Sequence, residues 1–148
     1  MPVTGERTVE IAAPVERCWA IAADLERAPE WQTSLVSVAV LERDGAGRPT
    51  LVDTVSDAKV TTVRARLRFT YDAPHRIDCV QERGDVKALR GRWTFAPLSG
   101  GGTRATYALE VDPGRMLGML LRGPAVDRVR ARLVDQAAEE LKRRAEAG

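Results

Sequence analysis

Between Lys59 and Asp72 the sequence KVTTVRARLRFTYD alternates with a period of two. In an extended chain Val63, Ala65, Leu67, Phe69 and Tyr71 fall on one side, with Arg64, Arg66 and Arg68 on the other. Such a strand has one dry face and one wet face, as in an antiparallel sheet covered on one side only. The register is fixed as well, because a one-residue slip would bury three guanidinium groups. The fold must therefore supply a cover for a long apolar sheet face.

Further strand patterns surround this one, at 6–12, 35–43, 49–56, 75–83, 88–97 and 103–112. Turn residues separate them, among them Asp44-Gly45-Ala46-Gly47, Asp72-Ala73-Pro74, Gly84-Asp85 and Ser99-Gly100-Gly101-Gly102. Both glycine clusters lead into strand pattern rather than into a helix, so they are hairpin turns and not phosphate loops. In 75–83, Ile77, Cys79 and Gln81 alternate with Asp78 and Glu82. A hairpin there is expected to pair Arg68 with Asp78 and Arg64 with Glu82, making the arginine row a charge-paired outer face.

Helical spacing occurs at the two ends of the chain. After Ala13-Pro14, residues Val15, Cys18, Trp19 and Ala22 recur at three and four, and 24–30 reads as a short second helix before Trp31. In 124–146, Val126, Val129, Leu133, Ala137 and Leu141 make one apolar stripe. Glu139–Arg143 and Glu140–Arg144 stand at i,i+4 beside it and are expected to pair on the wet side. The whole of 1–148 is thus expected to be one α+β domain. A curved antiparallel sheet of seven strands wraps around a long C-terminal helix, with two short helices after the first strand. Sheet and helix leave a gap suited to a ligand.

Composition excludes several functions. A net charge of +2, with acids interleaved among the 23 basic residues, gives no nucleic-acid stripe. The longest apolar runs fall well short of the ~20 residues a membrane span needs, so no stable membrane insertion is expected. The start MPVTGERTVE has no leader pattern, and a cytoplasmic location is expected. Cys18, Cys79 and the lone His75 have no metal-ligand spacing, so neither a metal nor a cofactor is expected. With His75 in a turn, no serine has a suitable base, and no catalytic residue is assigned.

The segments VEIAAPVERCWAIAADLERAPEW (9–31), GRWTF (91–95), GTRATYALEV (102–111) and GMLLRGPAV…LKRRAE (118–146) follow one another in a familiar order. Together they resemble the polyketide cyclase/dehydrase and lipid-transport family, of the START-like, helix-grip (SRPBCC) superfamily. The nearest likeness is to small single-domain actinobacterial members. The resemblance implies a deep cavity between sheet and C-terminal helix that hosts lipids, polyketides or quinone-like molecules. It also implies a monomer or weak homodimer. Aromatase/cyclases of the family carry an arginine and a tyrosine where an ungapped alignment puts Phe69 and Leu35. Neither offers charge or a hydrogen bond to a developing enolate. Binding or carriage of a hydrophobic small molecule is therefore the leading expectation. The alternative is a cyclase/dehydrase-type enzyme with altered machinery, using Tyr71 or Tyr107 as proton donor.

Strand parity and the resemblance together assign a ligand-binding wall. Its expected members are Leu35, Leu67, Phe69, Tyr71, Trp93, Phe95 and Tyr107, with Trp31 near an entrance. The run RMLGMLLRGP (115–124) adds Met116, Met119 and Leu120 as the lid side of the mouth. It is too short for a membrane-lying helix, and Gly123-Pro124 is expected to separate it from the C-terminal helix.

Overall fold

The computed structural model describes residues 2–147. Seven strands form one sheet: β1 (Val3–Ile11), β2 (Leu35–Arg43), β3 (Pro49–Asp57), β4 (Thr62–Asp72), β5 (Arg76–Gly84), β6 (Ala88–Pro97) and β7 (Thr103–Asp112). Their order is β1-β7-β6-β5-β4-β3-β2, and every neighbouring pair is antiparallel. Between β1 and β2 lie α1 (Val15–Ala23) and a 3-10 turn (Leu25–Glu30). After β7 come α2 (Gly114–Gly118), α3 (Pro124–Arg130), a π turn (Ala131–Asp135) and α4 (Gln136–Glu146).

The alternation of β4 holds. Ala65 and Leu67 are buried on the inner face, while Arg64 points outward and Arg66 and Arg68 bind carboxylates. The partners differ from those expected. Arg66 holds Asp53 of β3 in a bidentate pair at 2.8 and 3.0 Å, Arg68 holds Glu82, and Asp78 binds Arg76 and Arg92. Two local features set this: the hairpin register puts Arg68 opposite Val80 and Thr70 opposite Asp78, and beyond it a bulge at Glu82 leaves Arg66 opposite Arg83 while Leu67 pairs with Gln81. Asp53's carboxyl is held below its ordinary range by the Arg66 guanidinium. Edge strand β2 carries further irregularities near Val36 and Leu41, which spoil its free edge as a template.

One end of the sheet is sealed. Ile11, Cys18, Phe95, Ala105, Ala138 and Leu141 pack there, each 3% exposed or less, with α1 and α4 against β1, β6 and β7. The alanines at 137, 138 and 145 let α4 approach closely, and Arg17 of α1 donates to the carbonyl of Ala145 at 2.6 Å. The predicted surface pairs of α4 are corrected here. Glu139 binds Arg7 and Arg144 binds Glu30, while Glu140 is only 7% exposed. Both the amide and the hydroxyl of Thr33 donate to Glu140, at 3.2 and 2.6 Å. Arg132 reaches the same loop through the carbonyl of Thr33 and continues to Asp57 at the end of β3. A polar strap thus ties the C-terminal helix to the loop that carries Trp31 and Leu35.

Candidate functional site: an apolar cavity under the C-terminal helix

Beyond the sealed end the sheet and helix separate around a cavity of about 170 Å³. That is some ten times the space one ordered water needs, roughly 10–15 Å³. The floor comes from alternate residues of the inner strands, such as Val52, Ala65, Leu67 and Leu109. Its roof is Val129, Leu133 and Val134. The last two lie in the π turn, Ala131–Asp135, which carries one extra residue per turn. At β1 the roof is held close by a glycine: a Cβ on Gly5 would stand 2.8 Å from Cγ of Arg130.

Of the residues assigned to a binding wall from sequence, Trp31, Leu35, Leu67, Phe69, Trp93, Tyr107 and Leu120 line this cavity. Tyr71, Phe95, Met116 and Met119 do not. The hydroxyl of Tyr71 donates to the carbonyl of Pro49, and its ring lies under Arg48, 5.1 Å from the guanidinium carbon. Phe95 belongs to the sealed core, 6.4 Å edge-on to Trp19. Strand parity places both on the inner face, but the cavity ends before it reaches them. Met116 and Met119 are 84% and 63% exposed. In their place Leu117 and Leu121 face the hollow, with Leu120 half out at 50%. Residues 116–121 turn tightly, with amides bonding three residues back, so successive side chains splay rather than stack on one helical face. Gly123 at φ +55° and Pro124 then begin a new helix, as the sequence predicts.

An aromatic ladder crosses the wall. Trp31 meets Trp93 edge-on at 6.4 Å, and Trp93 stacks on Tyr107 at 4.5 Å. The indole N–H of Trp31 is enclosed and has no acceptor among the described residues. Burial pushes the phenol of Tyr107 well above its ordinary range, so it stays protonated. Cys79, also on the wall, is pushed up to about 12 by burial and is not a thiolate nucleophile at neutral pH. No carboxylate lines the cavity among the described residues. The two arginines that touch it are committed elsewhere: Arg92 to Asp78, Arg130 to the carbonyl of Thr4 and to Asp127. Among the described residues no cluster of three or more His, Cys, Asp or Glu side chains could hold a metal ion. No described helix is long and apolar enough to cross a membrane. Such a wall can bury apolar surface and offer neutral hydrogen-bond donors.

A family model described as polyketide cyclase / dehydrase and lipid transport matches residues 11–138. No curated protein matches the sequence. Among solved structures, a START superfamily protein from Mycobacterium smegmatis superposes with a TM-score of 0.84 at 23% identity over 97% of each chain. A protein from Thermus thermophilus gives 0.83 at 27% identity, again over 97% of both. The Zhui aromatase/cyclase of Streptomyces sp. R1128 gives 0.74 at 19% identity over 99% of this chain and 98% of its own. These likenesses fix the fold as helix-grip.

Proposed function

The chain belongs to the polyketide cyclase/dehydrase and lipid-transport family, and from that premise we propose that it binds or carries a hydrophobic small molecule in the cavity beneath residues 124–135. The observation that carries this reading is the wall itself, mostly apolar and aromatic side chains around an unfilled space. Leu117, Leu120 and Leu121 form the inner side of its mouth, and Gly114 and Gly123, at φ +78° and +55°, bracket the segment that bears them. A flap between two such residues can move without unfolding the long helix.

Carriage is favoured over ring-closing catalysis by what stands at two positions. Phe69 and Leu35 both line the cavity, so the places where the family's cyclases are expected to keep an arginine and a tyrosine are apolar. Of the two tyrosines considered as proton donors, Tyr71 is occupied by the carbonyl of Pro49. Cyclase chemistry would rest on Tyr107 alone.

Filling the cavity tests the reading. Ala65 is buried on the floor, and Ala65→Phe puts a ring where the ligand would lie. Binding of the neutral fluorophore N-phenyl-1-naphthylamine is expected to weaken tenfold or more, with the circular dichroism spectrum unchanged. Undiminished binding by the folded variant would place the ligand elsewhere. Native mass spectrometry of protein purified gently from its own host would then weigh what it carries.

A further inference from the structure

We infer that the open end of the molecule docks reversibly on anionic lipid bilayers, Met116, Met119 and Leu120 entering the headgroup layer while unpaired cations beside them meet lipid phosphates. Docking of this surface is a separate property from what the cavity holds.

Antiparallel strands bring alternate turns to the same end of a sheet. The turns after β3 (58–61) and β5 (85–87) therefore meet the segment that follows β7. This is the end where the cavity opens, since Ala58, Val60, Val86 and Leu117 all line it. A Cβ on Gly114 would stand 3.6 Å from Cβ of Lys87, so the flap starts directly against the β5–β6 turn.

Charge is unevenly shared between the two ends. Away from the opening most cations hold carboxylates, as Arg7 does Glu139, Arg43 Glu26, Arg104 Glu10 and Arg144 Glu30. At the open end Lys59, Arg64, Arg83, Lys87, Arg115 and Arg122 are exposed and form no ion pair among the described residues. The acids beside them are occupied. Asp85 accepts the amide of Arg64 and Asp112 that of Gly114, while Asp57 and Asp127 bind Arg132 and Arg130. The interleaving of acids and bases along the sequence is thus not kept in space.

Among these cations stand Met116 and Met119, the two most exposed large apolar side chains of the described residues, with Leu120 next to them. An exposed apolar cluster rimmed by charge marks an interaction surface. Three side chains fall far short of the about 800 Å² per partner that a stable protein interface buries. Nucleic acid would match the cations but not the methionines, and no aromatic residue occurs in 57–61, 84–88 or 113–124 to stack on a base. An anionic bilayer matches both features. Its surface potential attracts each cation, and its interfacial layer accepts short apolar side chains, two weak signals that suffice together. Leu117 and Leu121 belong to the same segment, so docking sets the cavity's mouth against the lipid.

Vesicle flotation tests this, with phosphatidylcholine vesicles and with vesicles in which about a third of the lipid is phosphatidylglycerol. Binding to the anionic vesicles is expected to be about tenfold tighter or more, and to weaken about tenfold when salt is raised to about 0.5 M. Met116→Asp with Met119→Asp, and separately Arg115→Gln with Arg122→Gln, should each weaken it about tenfold or more. Both pairs should keep the circular dichroism spectrum and, without vesicles, the affinity for N-phenyl-1-naphthylamine to within about twofold. An acrylodan label on Met119→Cys should shift to the blue on anionic vesicles. The same label on Ser99→Cys, in the exposed turn after β6 at the sealed end, should not. Cys18 and Cys79 are buried and take no label. Equal affinity for the two vesicle types, binding indifferent to both pairs of substitutions, or an equal shift at the Ser99 position would each overturn docking. So would tighter binding to a duplex oligonucleotide than to anionic vesicles. None of these outcomes touches the cavity's binding role, which fails only if the wild type does not take up the fluorophore.

Discussion

Truncation of Glu140 to alanine removes the acceptor that ties α4 to the loop before β2. Two hydrogen bonds from Thr33 are lost, at 3.2 and 2.6 Å, together with a marginal one from Gln136 at 3.4 Å. A hydrogen bond to a charged group contributes about 1.5–3 kcal/mol net. Two of them, less the cost of keeping a carboxylate largely out of water, give a loss of about 2–3 kcal/mol. For a domain of this size that lowers the thermal midpoint by roughly 5–10 °C. Glu140→Gln keeps one acceptor oxygen and should lose about half as much. The neighbouring residue is the control. Glu139 binds Arg7 with both side chains about two-fifths exposed, and Glu139→Ala should cost under about 1 kcal/mol. Differential scanning calorimetry of the three variants, with urea titrations for the free energies, reads these differences. A cycle with Thr33→Ala should return a coupling of about 1–2 kcal/mol. Glu140→Ala no more destabilised than Glu139→Ala, or a coupling near zero, would refute the strap. The cavity should respond too, because Trp31, Gln32, Ser34 and Leu35 around the strapped residue all line it.

The flap makes an equally sharp contrast between neighbours. Met116→Asp with Met119→Asp should change affinity for N-phenyl-1-naphthylamine less than about twofold, since both side chains face water. Leu117→Asp or Leu121→Asp should weaken it tenfold or more, and the reverse order would invert the flap. Alkali should destabilise the fold. Burial raises Cys79 from 9.0 to about 12 and lifts both Tyr71 and Tyr107. The native state therefore keeps protons that the unfolded chain releases, and stability present below pH 9 declines as pH rises towards 12. Urea midpoints that stay flat from pH 8 to 11 would show these groups to be less buried than the structure has them. For the same reason Cys79 should resist iodoacetamide at pH 8 until urea is added.

Much of this architecture is legible in one strand. The alternation of Val63 to Tyr71 against Arg64 to Arg68 sets a one-faced sheet and its register, and parity carries Leu35, Leu67, Phe69, Trp93 and Tyr107 onto the cavity wall. What parity cannot supply is depth. Tyr71 and Phe95 satisfy the same alternation as Phe69 and Trp93, yet lie where α1 has closed the space, and how far α1 intrudes depends on packing between segments distant in sequence. The ion pairs that differ from expectation have a local cause of another kind. The turn sets Arg68 opposite Val80 rather than Asp78, an extra residue at Glu82 shifts the pairing beyond it, and nothing in QERG distinguishes a bulge from a regular strand end. Glu140 is hidden because i,i+4 spacing to Arg144 fits a surface pair equally well. The partner that buries it, Thr33, is 107 positions away. For the flap what matters is that amides bonding three residues back divide the apolar run between cavity and solvent, a division the run of apolar residues does not itself announce. That division leaves leucines against the ligand space and methionines outside on one and the same segment, so any movement of the flap carries its gripping leucines with it.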